Sequence, residues 1–240
     1  MRQLTLASQT IFEKHSRKSK REVFLDQMEQ VVPWTELLAL VEPHYPRAGN
    51  GRQPMGLAIM LRTYFLQQWF NLSDPGMEEA FYESPVLRRF AGVDLGVAAA
   101  PDETTILRFR HLLELHDLCG EMLMTVNQYL DSKGIRISTG TIVDATLISA
   151  PSSTKNSKKE RDPAMHQTRK GQQWYFGTKA HIGVDSKETV VHSVATSAAS
   201  VADKHMLPDL LHGAEKKVWG DGAIKDNQRQ FIRPRPRHKI

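Results

Sequence analysis

The chain has 240 residues, 40% of them hydrophobic, enough to bury the core of one large or two small globular domains. Its formal charge of +5 and isoelectric point near 9.3 point to a polyanionic partner. The single cysteine, Cys119, excludes an intrachain disulfide and reads as a packing residue, and the ten histidines fall in no zinc-ligand spacing.

The opening MRQLTLASQTIFEK lacks the continuous apolar core of a signal peptide. Apolar residues then recur at helical spacing in Val23 to Val32, Trp34 to Val41, Met55 to Phe70 and Met77 to Phe81. Breakers separate them: Pro43, Pro46, Gly49-Asn50-Gly51 and Asp74-Pro75-Gly76. The most apolar run, Met55 to Phe70, is too short to span a bilayer and carries Arg62 inside it, so no membrane role and a cytoplasmic protein are expected. Pro101-Asp102-Glu103-Thr104 offers a capped start for a helix over Ile106 to Leu115, and another follows from Leu118 to Leu130 before Lys133-Gly134. Five or six helices thus form an all-α domain over residues 1–133.

After Gly134 the period changes, and residues 134–240 read as a second, mixed domain. Ile142 to Ile148 is a β-branched run ending at Pro151. A carboxylate, Asp144, stands in its middle. In a buried strand such a charge costs several kcal/mol unless it is paired or metal-bound.

The stretch from Lys155 to Lys179 holds seven basic residues (Lys155, Lys158, Lys159, Arg161, Arg169, Lys170, Lys179) against two acids, Glu160 and Asp162. The whole formal charge of the chain sits there. With Trp174 and Tyr175 it makes a candidate DNA contact, since phosphate neutralisation dominates nucleic-acid affinity and aromatic rings add stacking. A solvated polar loop without a binding role stays open as the alternative.

From Trp174 to Val184 the alternation is strict. Trp174, Phe176, Thr178, Ala180, Ile182 and Val184 give a mainly apolar face, and Tyr175, Gly177, Lys179, His181 and Gly183 a polar one, from which Lys179 and His181 can approach a phosphate or a metal. Asp185 to Glu188 form a turn, and Thr189 to Thr196 return as the second strand of a hairpin. A helix lies within Val201 to Leu211, with Pro208 in its first turn or at a kink. A short strand, Lys216 to Trp219, then leads into Asp221. This order gives an antiparallel three-stranded meander whose first strand gains a parallel neighbour through a helical crossover. If the last strand pairs with the first, Asp144 and Asp221 stand on adjacent strands and can share divalent cations. Ser149, Ser152 and Ser153 read as loop formers, because no nucleophile elbow accompanies them.

The strings TIVDATLISAPSSTKN, RDPAMHQTRKGQQWYFGTKAHIGVD and VHSV closely resemble the catalytic half of bacterial insertion-sequence transposases of the IS-five group, within the DDE superfamily. VVPWTELLALVEPHYP, LQQWFNLSDPGMEEAFYESPVLRRFAG and PDETTILRFRHLLE resemble that group's helical domain, and the likeness runs from about residue 3 to about residue 221. It implies a mixed α/β, ribonuclease-H-like sheet with flanking helices, preceded by the all-α domain. It further implies a homo-oligomer that cuts and joins double-stranded DNA at element ends with two Mg²⁺ or Mn²⁺ ions, working at the nucleoid. Asp144 matches the first family acid and Asp221 the second. The third, a glutamate in a Tyr, Arg, Glu, Lys pattern, has no counterpart: no glutamate follows Asp221, and Asp226 is the only acid after it. The chain therefore reads as truncated or frameshifted before the third acid. Three functions compete: a transposase inactive as this chain, a catalytically dead DNA-binding remnant or regulator, and a metal-dependent nuclease working with two aspartates.

Overall fold

The computed structural model describes residues 17–50, 53–135, 140–152, 154–155 and 159–220. The chain divides into two compact units, Met1–Tyr129 and Leu130–Ile240.

The first unit contains the helices α1 (Lys20–Val31), α2 (Trp34–Val41), α3 (Leu57–Phe70), α4 (Asp74–Glu83), α5 (Pro85–Ala91) and α6 (Glu103–Leu115), and most of α7 (Leu118–Ser132). Their starts follow from local chemistry. Ser19, Ser73, Ser84 and Asp102 each accept a backbone N–H of the first turn they precede, at helix ends where that donor has no partner within the helix. The α5 helix was not among the expected elements. Its signal is Ser84-Pro85, a cap followed by a proline in the first turn, which reads from sequence as a break. Gly92 closes it at φ 79°.

The core of this unit gathers Leu37, Leu61, Leu66, Phe81, Ile106 and Leu113, all fully buried. Beside it Trp34 meets Phe65 and Phe90 edge to face. Arg62, the charge inside the apolar run, lies over Trp34 at 4.4 Å and donates to Glu29 of α1, so a cation inside an apolar helix is satisfied at the core's rim. Arg110 of α6 grips Asp74 at the start of α4 through two hydrogen bonds of 3.1 and 2.7 Å. Cys119 is exposed rather than packed, with its sulfur 3.4 Å from the Tyr64 hydroxyl.

The second unit is a mixed sheet of β1 (Gly140–Ser149), β2 (His166–Lys170), β3 (Gln173–Asp185), β4 (Val191–Ala198) and β5 (Lys217–Trp219). β3 pairs antiparallel with β1, β2 and β4, and β5 pairs parallel with β1. The meander and its parallel neighbour are as expected. The β2 strand was not. It is short and polar, and pairs with the first five residues of β3 across a two-residue turn at Gly171 (φ 63°) and Gln172. Between β4 and β5 the crossover is a 3₁₀ turn, Asp203–Met206, running into a single turn of α-helix, α8 (Leu207–Leu210), with Pro208 in that turn.

The crossover covers one face of the sheet. Val143, Leu207 and Leu210 are buried together there, with Ala195, Met206, Leu211 and Val218 against them. Residues directly opposite on paired strands share a face. Asp144 pairs with Ile182, so it shares the other face with the even-numbered residues of β3.

Two expectations are overturned here. The face of β3 that goes under cover is the polar one, with Gly177, His181, Gly183 and Asp185 buried, while Trp174 on the apolar face is exposed. Space decides it. A Cβ on Gly183 would stand 2.7 Å from the carbonyl oxygen of Leu210, so the crossover backbone comes down where the strand has no side chain. In consequence Asp144 is exposed and no charge is buried inside β1.

Candidate functional site

The β1 strand shows how Asp144 is presented. Thr141 and Val143 are buried, whereas Ile142, Asp144, Thr146 and Ile148 are exposed. The carboxylate lies on the open face, with one oxygen accepting the N–H of Ala145 at 2.8 Å. The register of β5 brings Val218 beside Thr141 and Trp219 beside Ile142. Asp221 lies outside the described residues; in sequence it stands two residues past Trp219, as Asp144 stands two past Ile142. Trp219 crosses over Gly140, where a Cβ would approach its ring to 2.6 Å and also meet the Ser186 hydroxyl.

An exposed carboxylate is a hard oxygen donor suited to Mg²⁺ or Mn²⁺. One such donor fits a divalent ion but does not make a site. Among the described residues no group of three or more His, Cys, Asp or Glu side chains could hold a metal ion.

His181 and Lys179 face away from Asp144. His181 is fully buried under the crossover, its Nε2 2.8 Å from the Ser197 hydroxyl and its Nδ1 3.8 Å from Asp203. Lys179 donates to Asp203 at 3.0 Å and to the carbonyl of Val201 at 2.9 Å. Burial holds the His181 imidazole below its usual pKa, with Asp203 pulling it back up and Lys179 pushing it further down. The expectation that these two reach a phosphate or metal beside Asp144 fails on this geometry: both are committed to the opposite face.

A second polar cluster on that face was invisible in the sequence. Glu215, just before β5, accepts the N–H groups of His212 (2.5 Å) and Gly213 (2.7 Å) and sits 3.5 Å from the Thr141 hydroxyl. His192 shares that hydroxyl at 3.2 Å and packs its ring against His212. Burial, then the neighbouring His212, lower the pKa of His192. The cluster ties the approach of β5 to β1. Its members lie up to 74 residues apart, so no local pattern announces it.

The basic stretch takes a definite shape. Lys155, Lys159, Arg161, Arg169 and Lys170 are exposed, and Lys158 lies outside the described residues. Arg169 stands directly opposite Trp174, and Lys170 opposite Gln173. Arg161 lies over the Phe176 ring at 5.5 Å and donates to the Ser152 carbonyl. Tyr175, half-buried, points to the other face and donates to Gln173.

Residues 12–112 match the family model described as a transposase domain (DUF772), and residues 136–237 match that of a transposase DDE domain. The two halves of the chain thus match two transposase domains, which supports an insertion-sequence transposase of the DDE type. The mixed sheet with its helices is consistent with the ribonuclease-H-like architecture of a DDE domain, a family that generally uses divalent metal ions. No solved structure matches the chain. Among the described residues no helix is long and apolar enough to cross a membrane.

Proposed function

We propose that this chain is a transposase of the IS-five group, acting on the double-stranded DNA of its element's ends, with Asp144 and Asp221 as the carboxylates that hold Mg²⁺ or Mn²⁺. The observation that supports the proposal is Asp144, exposed at the centre of β1, with β5 parallel beside that strand and ending, in sequence, two residues before Asp221. Bound divalent ions would supply activation of the attacking oxygen and stabilisation of the leaving one for in-line phosphoryl transfer. The protein's own part is positional. The β1 strand holds one carboxylate on an open face that a DNA backbone can reach. The Thr141, His192 and Glu215 contacts hold the approach of β5 beside β1. The exposed cations Lys155, Lys159, Arg161, Arg169 and Lys170, with Lys158 in the same stretch, neutralise phosphates, and the helical unit serves end recognition and assembly of a homo-oligomer on DNA. Lys179 and His181 act as internal supports of the sheet.

The activity proposed for residues 1–240 taken by themselves is DNA binding, with cutting and joining dependent on a third carboxylate. The test uses labelled duplexes tiled across the DNA that borders the coding sequence, incubated with the full chain and Mg²⁺ or Mn²⁺. The expected result is binding without strand cleavage, unchanged or tightened in Asp144→Ala, which removes a negative charge from the open face. Cleavage lost in Asp144→Ala would establish the two-aspartate nuclease instead. Absence of binding to any duplex at low salt would overturn the transposase reading.

A further inference from the structure

We infer that the β2–β3 hairpin carries a stacking site for an unpaired nucleobase, built on Trp174; the inference rests on the DNA-binding reading above and adds the class of ligand. Trp174 leaves 64% of its surface in water. A large ring kept bare on a short, polar hairpin adds nothing to the core of its unit.

The hairpin itself carries charge of one sign. β2, the turn and the first five residues of β3 read HQTRK, GQ and QWYFG, with no acid among them. Arg169, directly across from Trp174, folds back on the turn, its Nε donating to the Gly171 carbonyl at 3.0 Å. That hydrogen bond and a second from Nη2 to the Gln172 side chain at 3.4 Å hold the guanidinium at the turn, next to the strand pair that carries Trp174, instead of leaving it to sweep through solvent. The next residue on the same face of β3 is Phe176, which already carries the Arg161 guanidinium over its ring. The hairpin therefore presents one ring occupied by a cation and one ring left open, each with an arginine beside it.

Nucleic acid satisfies both features. The guanidinium groups take phosphates, and an exposed indole takes the face of a base. Bases inside a duplex are stacked on each other and offer no free face. An open ring on a positively charged hairpin consequently selects a base that is unpaired, at an overhang or where the strands have been separated.

The position of the site adds a distance. Trp174 and Ile182 lie on the same face of β3, and Ile182 is the partner of Asp144. Eight residues of strand cover roughly 26 Å at about 3.3 Å each. A duplex spans that length in about eight base pairs at about 3.4 Å each. An unpaired strand extends further per nucleotide than a duplex, so a single-stranded extension of about eight nucleotides is long enough to reach Trp174 from a duplex end held near Asp144.

The experiment compares binding of the full chain to two internally labelled DNAs of equal length, one a fully paired duplex and one with a single-stranded extension of about eight nucleotides. Wild type, Trp174→Ala and Trp174→Phe are measured at the same salt concentration, with circular dichroism to confirm that each is folded. The expected result is tighter binding of the extended DNA by wild type. Trp174→Ala should lose roughly ten-fold or more on that DNA and little on the paired one, with Trp174→Phe retaining most of the affinity. Equal losses on both DNAs, or none on either, would overturn the stacking site while leaving the transposase reading in place. No binding of either DNA by wild type would overturn both.

Discussion

At the scale of single residues, His181 shows what the sequence could and could not say. Its alternation with Lys179 is plain from the spacing, and the two do share a face. Which face is covered depends on the crossover, and the crossover comes down on the glycine-bearing side, where its backbone fits against Gly183. Apolar alternation was therefore a poor guide, and small residues were the better mark of the covered face. The burial has a consequence for pH. His181 and His192 are held below their usual pKa by desolvation, so the folded protein binds fewer protons than the unfolded chain wherever the unfolded rings begin to charge, near pH 6.5. Their contribution to stability is complete above about pH 6.5 and is lost as the pH falls toward the depressed folded values. Unfolding midpoints followed from about pH 7.5 down to about pH 5 should drop, and His181→Gln should make the acid-side slope shallower. An unchanged slope in the variant would remove His181 from the account. The charged groups facing this ring are Asp203 and Lys179, and both move it in the directions given above.

Among the elements, long periodic helices and the β1, β3 and β4 strands were legible, because each carries its own periodicity. The α5 helix and β2 were not. The first begins with Ser-Pro, which reads as a break, and the second has no apolar face of its own and exists because β3 offers it an edge. β5 was legible as a strand although it has three residues, and its value lies in where it ends. Trp219 over Gly140 locks that end to β1. Gly140→Ala must push the Trp219 ring and the Ser186 hydroxyl aside, an overpacking expected to cost about 1–3 kcal/mol in a denaturant titration. Gly49→Ala, at a position with nothing within 4 Å, serves as the matched control and should change stability little. Equal midpoints for the two variants would show that Trp219 is not seated there.

On the scale of the whole molecule, the formal charge of +5 is a property of one stretch, and that stretch includes a structured hairpin. This separates two accounts of DNA binding that net charge alone leaves equivalent. In one, the positive field of the chain attracts a polyanion without a defined interface. In the other, the hairpin cations meet phosphates directly and release counterions. Direct pairing predicts that replacing Lys159, Arg161, Arg169 and Lys170 by glutamine lowers the steepness of log affinity against log salt by up to about 0.9 for each phosphate no longer neutralised. Replacing Lys187, Lys204 and Lys216, also exposed and on the same unit, lowers the net charge nearly as much and should leave the slope close to wild type. Similar reductions in both sets would assign binding to the diffuse field and remove the hairpin as an interface. A reduction confined to the first set would place the DNA along the strand pair that carries Trp174 and Arg169, on the face that also bears Asp144.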